Sequence, residues 1–294
     1  MRVIVPIDID GTNMTSNVPE DDATAWTAGT YSIGAEVMHE SRVWESLVDS
    51  NTAEPGTDAS KWLDTGATNR YKMFDEFVNT QTEFEDEIDV TITVTDIVRS
   101  MGIYELDGQE LVITCTDSTE GVVFEKTVEL LDVSVDDFDD YFFEPVRPIR
   151  DAHIMDLPPY PSMEVRIQVV DTGSTAKCGK VVLGPDFDAG MTKWGPRVGI
   201  ISFSRKIRDD FGRIFAKQGR SSKRASIDLH VENSNVDYLQ RQLQSVDGLI
   251  CSFVGDPRDG GFQCLNILGF FRDFEETIPG PGMSACTIEL EGLI

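Results

Sequence analysis

Between Ile88 and Thr95 apolar and polar residues alternate without a break: Ile88, Val90, Ile92 and Val94, interleaved with Asp89, Thr91, Thr93 and Thr95. Successive side chains of a strand point to opposite faces, so the pattern predicts a β-strand with one buried and one wet face. Further strands are expected at Glu110–Cys115, Val122–Leu131 and Val165–Val170, separated by Asp-Gly, Ser-Thr-Glu-Gly and proline-rich turns. Pro145, Pro148, Pro158, Pro159 and Pro161 interrupt any long element between Tyr141 and Met163. The middle of the chain therefore reads as an antiparallel sandwich with a long irregular connection.

The flanks follow the same logic. An opening strand is expected at Val3–Ile9, and Gly184, Gly190, Gly195 and Gly199 predict tight turns between short strands. Neither a Gly-Lys-Ser/Thr ending nor a Gly-x-Gly-x-x-Gly spacing accompanies those glycines, which argues against phosphate binding. Val236, Leu239, Leu243 and Val246 recur at helical spacing, with Ser234 or Asn235 to cap the start and Gly248 to stop the helix. Strands at Gly248–Val254, Gln263–Phe271 and Cys286–Leu290 complete the last quarter. The fold expected is mainly β: sandwich- or barrel-like domains, an inserted small aromatic β-module, and one or two helices near the C-terminus. Its divisions fall at 1–24 (strand and linker), 25–75 (aromatic module), 76–195 (sandwich) and 196–294 (mixed β/α).

Charge is distributed unevenly. The net charge of −27 disfavours nonspecific affinity for DNA or anionic lipid. Asp75 to Asp140 holds 20 Asp/Glu against two Lys/Arg, a balance of −18. Arg205 to Arg224 reverses the sign, with Arg205, Lys206, Arg208, Arg213, Lys217, Arg220, Lys223 and Arg224 against Asp209 and Asp210. Such asymmetry suits a protein that packs basic face to acidic face on copies of itself or a neighbour, although a solvated basic surface has the same composition. No window approaches the roughly 18 apolar residues of a membrane span. The N-terminus reads as a strand rather than a secretory leader, which implies synthesis in a cytoplasm.

Catalytic and metal signatures are weak. Asp8-Ile9-Asp10-Gly11-Thr12 behind an apolar run matches the start of haloacid-dehalogenase-type phosphatases, where one Asp attacks phosphorus and the next handles a proton. That chemistry needs alternating strands and helices, which this chain does not offer. Asp132, Asp136, Asp137, Asp139 and Asp140 cluster without the glycine and spacing of a calcium loop, so they read as a solvated acidic surface. Cys115, Cys178, Cys251, Cys264 and Cys286 are too far apart in sequence for a zinc site, and His39, His153 and His230 are scattered. The cysteines read as buried free thiols, with one or two bridges left open. No enzyme, cofactor or metal is expected.

From Trp26 to Asp75 aromatics recur among Gly, Asn, Pro and Ser with few aliphatic runs, which predicts a small β-module whose core is largely its own rings. Trp26, Tyr31 with Gly34, Trp44, and Pro55 with Trp62 follow in the order that resembles the small chitin-binding module of bacterial chitinases. The resemblance implies sugar stacking on exposed rings, with Trp44 first, then Trp62, Tyr31 and Trp26. The alternative is that the rings form the module's own core.

A second resemblance spans most of the chain. Its segments are Thr15–Glu20, Thr68–Asp75, Leu157–Tyr160, Cys178–Gly184, Ser202–Lys206 through Phe211-Gly212, Gly269–Phe274 and Ile288–Gly292. Taken in order they resemble a family of tailed-bacteriophage virion proteins carrying a carbohydrate-binding domain. The resemblance implies a structural component of the tail tip, baseplate or collar, located in the virion and packed on copies of itself and other tail proteins. Arg205, Lys206, Arg208, Arg213, Lys217 and Arg220 are the expected subunit interface. A saccharide-binding adhesion module contacting a host-surface glycan is the alternative.

Overall fold

The computed structural model describes residues 1–132, 147–208, 211–258 and 261–293. The chain is mainly β, and the described residues contain one α-helix, Val236–Ser245. The alternating segment lies in the strand Thr82–Val94, an interior strand of a five-stranded antiparallel sheet beside its central strand Met163–Cys178. Across that sheet Val90 lies opposite Ile167, and Ile167 opposite Ile113, all three with no exposed surface. The same inward face packs on a three-stranded sheet made of Ala152–Ile154, Ser100–Tyr104 and Lys180–Gly184, through Met101, Ile103, Ile154, Val181 and Leu183. Together the two sheets form the expected sandwich.

The eight-stranded sheet runs through Asp186–Asp188, Arg2–Ile4, Cys251–Val254, Asn266–Thr277, Met283–Gly292, Ser221–Glu232 and Met191–Thr192, with Arg197–Ser202 also paired to Ser221–Glu232. Only Ala189 and Gly190 separate the strands at its two ends, so the sheet curls back on itself like a barrel. Gly190 makes the corner possible: its φ is +112°, and a Cβ there would lie 2.8 Å from the His230 carbonyl oxygen. The interior is filled by Val3, Ile227, Leu229, Phe253 and Ile288, and the helix covers it with Val236, Leu239 and Leu243. Asn235 precedes the helix without a side-chain cap bond, and Gly248 follows it with φ +78°.

Ile4, Val254 and Leu268 point from the outside of this barrel into the back of the three-stranded sheet, against Tyr104 and Val182. The molecule is thus layered, with the three-stranded sheet shared between sandwich and barrel. The sequence-based divisions are redrawn accordingly. Arg2–Ile4, Asp186–Asp188 and Met191–Thr192 belong to the C-terminal barrel, while Met14–Ser16 pairs with Thr82–Val94 in the sandwich. Hydrogen bonding between strands nearly 185 residues apart, such as Val3 opposite Phe187, overrides chain order.

Candidate interaction surface

The basic segment forms a β-ribbon that leaves the barrel. Arg197–Ser202 and Ser221–Glu232 pair on the barrel, and beyond them Arg205–Arg208 pairs antiparallel with Ile214–Lys217. Phe203 donates its N–H to the Arg220 carbonyl (3.0 Å), and Gly219 donates to the Ser204 hydroxyl (3.0 Å), which joins the two stretches. Every described residue from Ser202 to Gln218 is exposed. A two-stranded ribbon with no third strand and no core is marginal by itself.

The register of this arm makes it more demanding. Arg205 lies opposite Lys217, and Ile207 opposite Phe215, on one face; Lys206 opposite Ala216, and Arg208 opposite Ile214, occupy the other. Like charges set directly across a strand pair repel. Ile207 and Phe215 are 56% and 58% exposed. Among the described residues, Arg205, Lys206, Arg208, Lys217 and Arg220 make no ion pair. The six basic residues singled out from sequence are therefore brought together on one projecting element; Arg213 lies near its tip. The apolar pair between the cations was missed. Arg205-Lys206-Ile207-Arg208 and Ile214-Phe215-Ala216-Lys217 carry no alternation that would have marked the pair as exposed.

The aromatic module presents the opposite arrangement. Its sheet runs Thr24–Ala25, Glu36–His39, Arg42–Ser46, Trp62–Ala67. Trp62 corrects the sugar-stacking assignment: it is 1% exposed, donates its indole N–H to the Ala53 carbonyl (2.9 Å), and meets Tyr31 edge-on at 5.6 Å. A unit with so few aliphatics uses its largest ring as core. Trp44 is half-buried, its indole N–H donated to the His39 carbonyl (3.2 Å) and its ring lying 3.7 Å from where a Cβ on Gly56 would stand. Trp26 packs edge-on to His39 at 5.1 Å, and Tyr31 both accepts from the Thr27 N–H and donates to the Thr27 carbonyl. The four rings are spent on the module's interior and edges and do not converge on one platform.

Other sequence candidates resolve into structure. Asp10 accepts from the Thr12 N–H (2.8 Å) and hydroxyl (2.6 Å), which holds its carboxyl below the usual range and closes an exposed turn. Burial pushes the thiols of Cys115 and Cys286 up to about 11, and those of Cys178 and Cys251 to about 12, which suppresses the thiolate. Cys264 is exposed, and all five are unpaired. Among the described residues no group of three or more His, Cys, Asp or Glu is placed to hold a metal ion. Asp136, Asp137, Asp139 and Asp140 lie outside the described residues, as do Asp209 and Asp210. No described helix is long and apolar enough to cross a membrane.

Where sandwich meets barrel, His153 accepts or donates at Tyr104 Oη (3.0 Å) and contacts Asn266 Nδ2 (3.3 Å), while Tyr104 also bonds Ser252. Burial of the ring lowers the His153 pKa to about 4, so the imidazole is neutral. This cluster joins the layers. No protein-family model matches the chain, and no curated protein matches it.

Proposed function

We propose that the chain is a structural subunit of a bacteriophage tail, in its tip, baseplate or collar region, assembled as a multi-copy ring and packed on neighbouring tail proteins. The observation that carries this reading is the arm: a basic and apolar ribbon, exposed at every described residue from Ser202 to Gln218, on a subunit of net charge −27. A surface so built is complementary to its own copies, and one interface repeated by rotation closes a ring. The order of the virion-protein-like segments supplies the tail assignment, and an acidic lining would let DNA pass without adhering. Negative-stain electron microscopy of the purified protein tests it. Closed rings with an axial opening are expected; isolated single subunits at every concentration would contradict the reading.

A further inference from the structure

The barrel has an open outer face whose charge mirrors that of the arm. In the strands Ser221–Glu232, Met283–Gly292 and Asn266–Thr277, alternate residues fill the barrel, namely Ile227, Leu229, Ile288, Leu290 and Phe274. The residues between them face outward in aligned rows. Arg197, Ser226, Glu289 and Asp273 form one row, with two acids to one cation; Asp228, Thr287 and Glu275 form the next; Glu232 lies beside Met283 beyond them. Asp228, Glu232, Asp273, Glu275 and Glu289 are exposed, and among the described residues none is in an ion pair. The far end of this face turns apolar, with Met283 42% and Ile278 66% exposed.

From these placements we infer that the arm of one copy docks on the open acidic face of the barrel of a second copy. The inference rests on the self-assembly proposed above and deepens it by naming the receiving surface. Arg205, Lys206, Arg208, Lys217 and Arg220 supply the positive charge, and the five carboxylates of the face supply the negative. Ile207 and Phe215 find their apolar counterpart in Met283 and Ile278. The arm cannot serve its own barrel in this way. It prolongs the strands Arg197–Ser202 and Ser221–Glu232 beyond Ser221, whereas the acidic rows lie at Ser226 to Glu232, in the opposite direction along the same strand. The contact is head-to-tail, so each copy gives one arm and receives another. The receiving surface is thus the C-terminal barrel rather than the more acidic segment Asp75–Asp140.

A charge-swap pair tests this by sedimentation equilibrium on the full chain. R205E/K217E reverses the arm; D273K/E289K reverses the face. Each variant alone is expected to associate about a hundredfold more weakly than the native protein, as like charges meet across the interface. An equimolar mixture is expected to recover association, with the two variants alternating, since each reversed surface then meets its complement. Near-native circular dichroism of both variants excludes misfolding as the cause. Native-like association of D273K/E289K alone, or a mixture that stays dissociated, would overturn the docking while leaving self-assembly intact. A native protein that is monomeric throughout would overturn both.

Discussion

The aromatic module and the arm are both small β-units that cannot bury a conventional core, and they solve the problem in opposite directions. The module turns its rings inward. Trp62 is enclosed, Tyr31 closes over it, and the indole donors of Trp44 and Trp62 end on backbone carbonyls. The arm turns everything outward, with two cations opposed and an apolar pair in solvent. A segment that encloses its own large rings is a folding unit; one that leaves Ile207 and Phe215 in solvent between cations has the form of half an interface. That difference, more than the aromatic content that first draws attention to the module, points to where the protein meets its partners.

The contrast can be broken most easily at Trp62. Trp62→Ala should cost about 3–5 kcal/mol, because a buried indole is lost and its neighbours cannot collapse into the space; calorimetry should show the loss. Loss of less than about 1 kcal/mol would mean the ring is not the module's core. Acid should act next, on the inward-turned body. Because the folded pKa of His153 is lowered to about 4 from an unfolded value near 6.5, its contribution is fully present above the unfolded value. The unfolded chain binds the extra proton between those limits, so stability falls as pH drops from about 6.5 to 4, by roughly 2–3 kcal/mol. His153→Gln should flatten that part of the pH profile.

Smaller effects sharpen the comparison. Trp44→Ala should cost about 1–2 kcal/mol, the loss of one half-buried ring and one hydrogen bond, and should leave any binding of chitooligosaccharide undetected in both forms by calorimetric titration. Saturable binding by the native protein, abolished by this change, would restore the adhesin reading. Ile207→Ser with Phe215→Ser should change the thermal stability of the dissociated subunit by no more than about 0.5 kcal/mol, since neither side chain is covered within it.

The sandwich was legible because Ile88 to Val94 alternate and bury in register against Val165, Ile167 and Val169. The helix was legible from Val236, Leu239 and Leu243. Barrel closure was not, because Val3 pairs with Phe187 and Phe253, and no local pattern encodes partners so distant in sequence. Half of the candidate site could be read from charge: the cations of Arg205–Arg220 cluster in sequence. Ile207 and Phe215 could not be read as exposed, since an apolar residue in a short strand looks the same whether a core or a partner awaits it. The acidic face was hidden for another reason. Asp228, Asp273 and Glu289 come from three strands, and a tally along the chain favours Asp75–Asp140 instead.

The most direct test of the central claim is the solution mass, by light scattering at low and high salt, of the native chain beside one whose arm from Arg205 to Lys217 is replaced by a short turn. The native protein should form a discrete oligomer that loosens as salt screens the charged faces, while the trimmed chain stays a folded monomer at every salt. Equal masses for the two would show that the arm is not what holds the copies together.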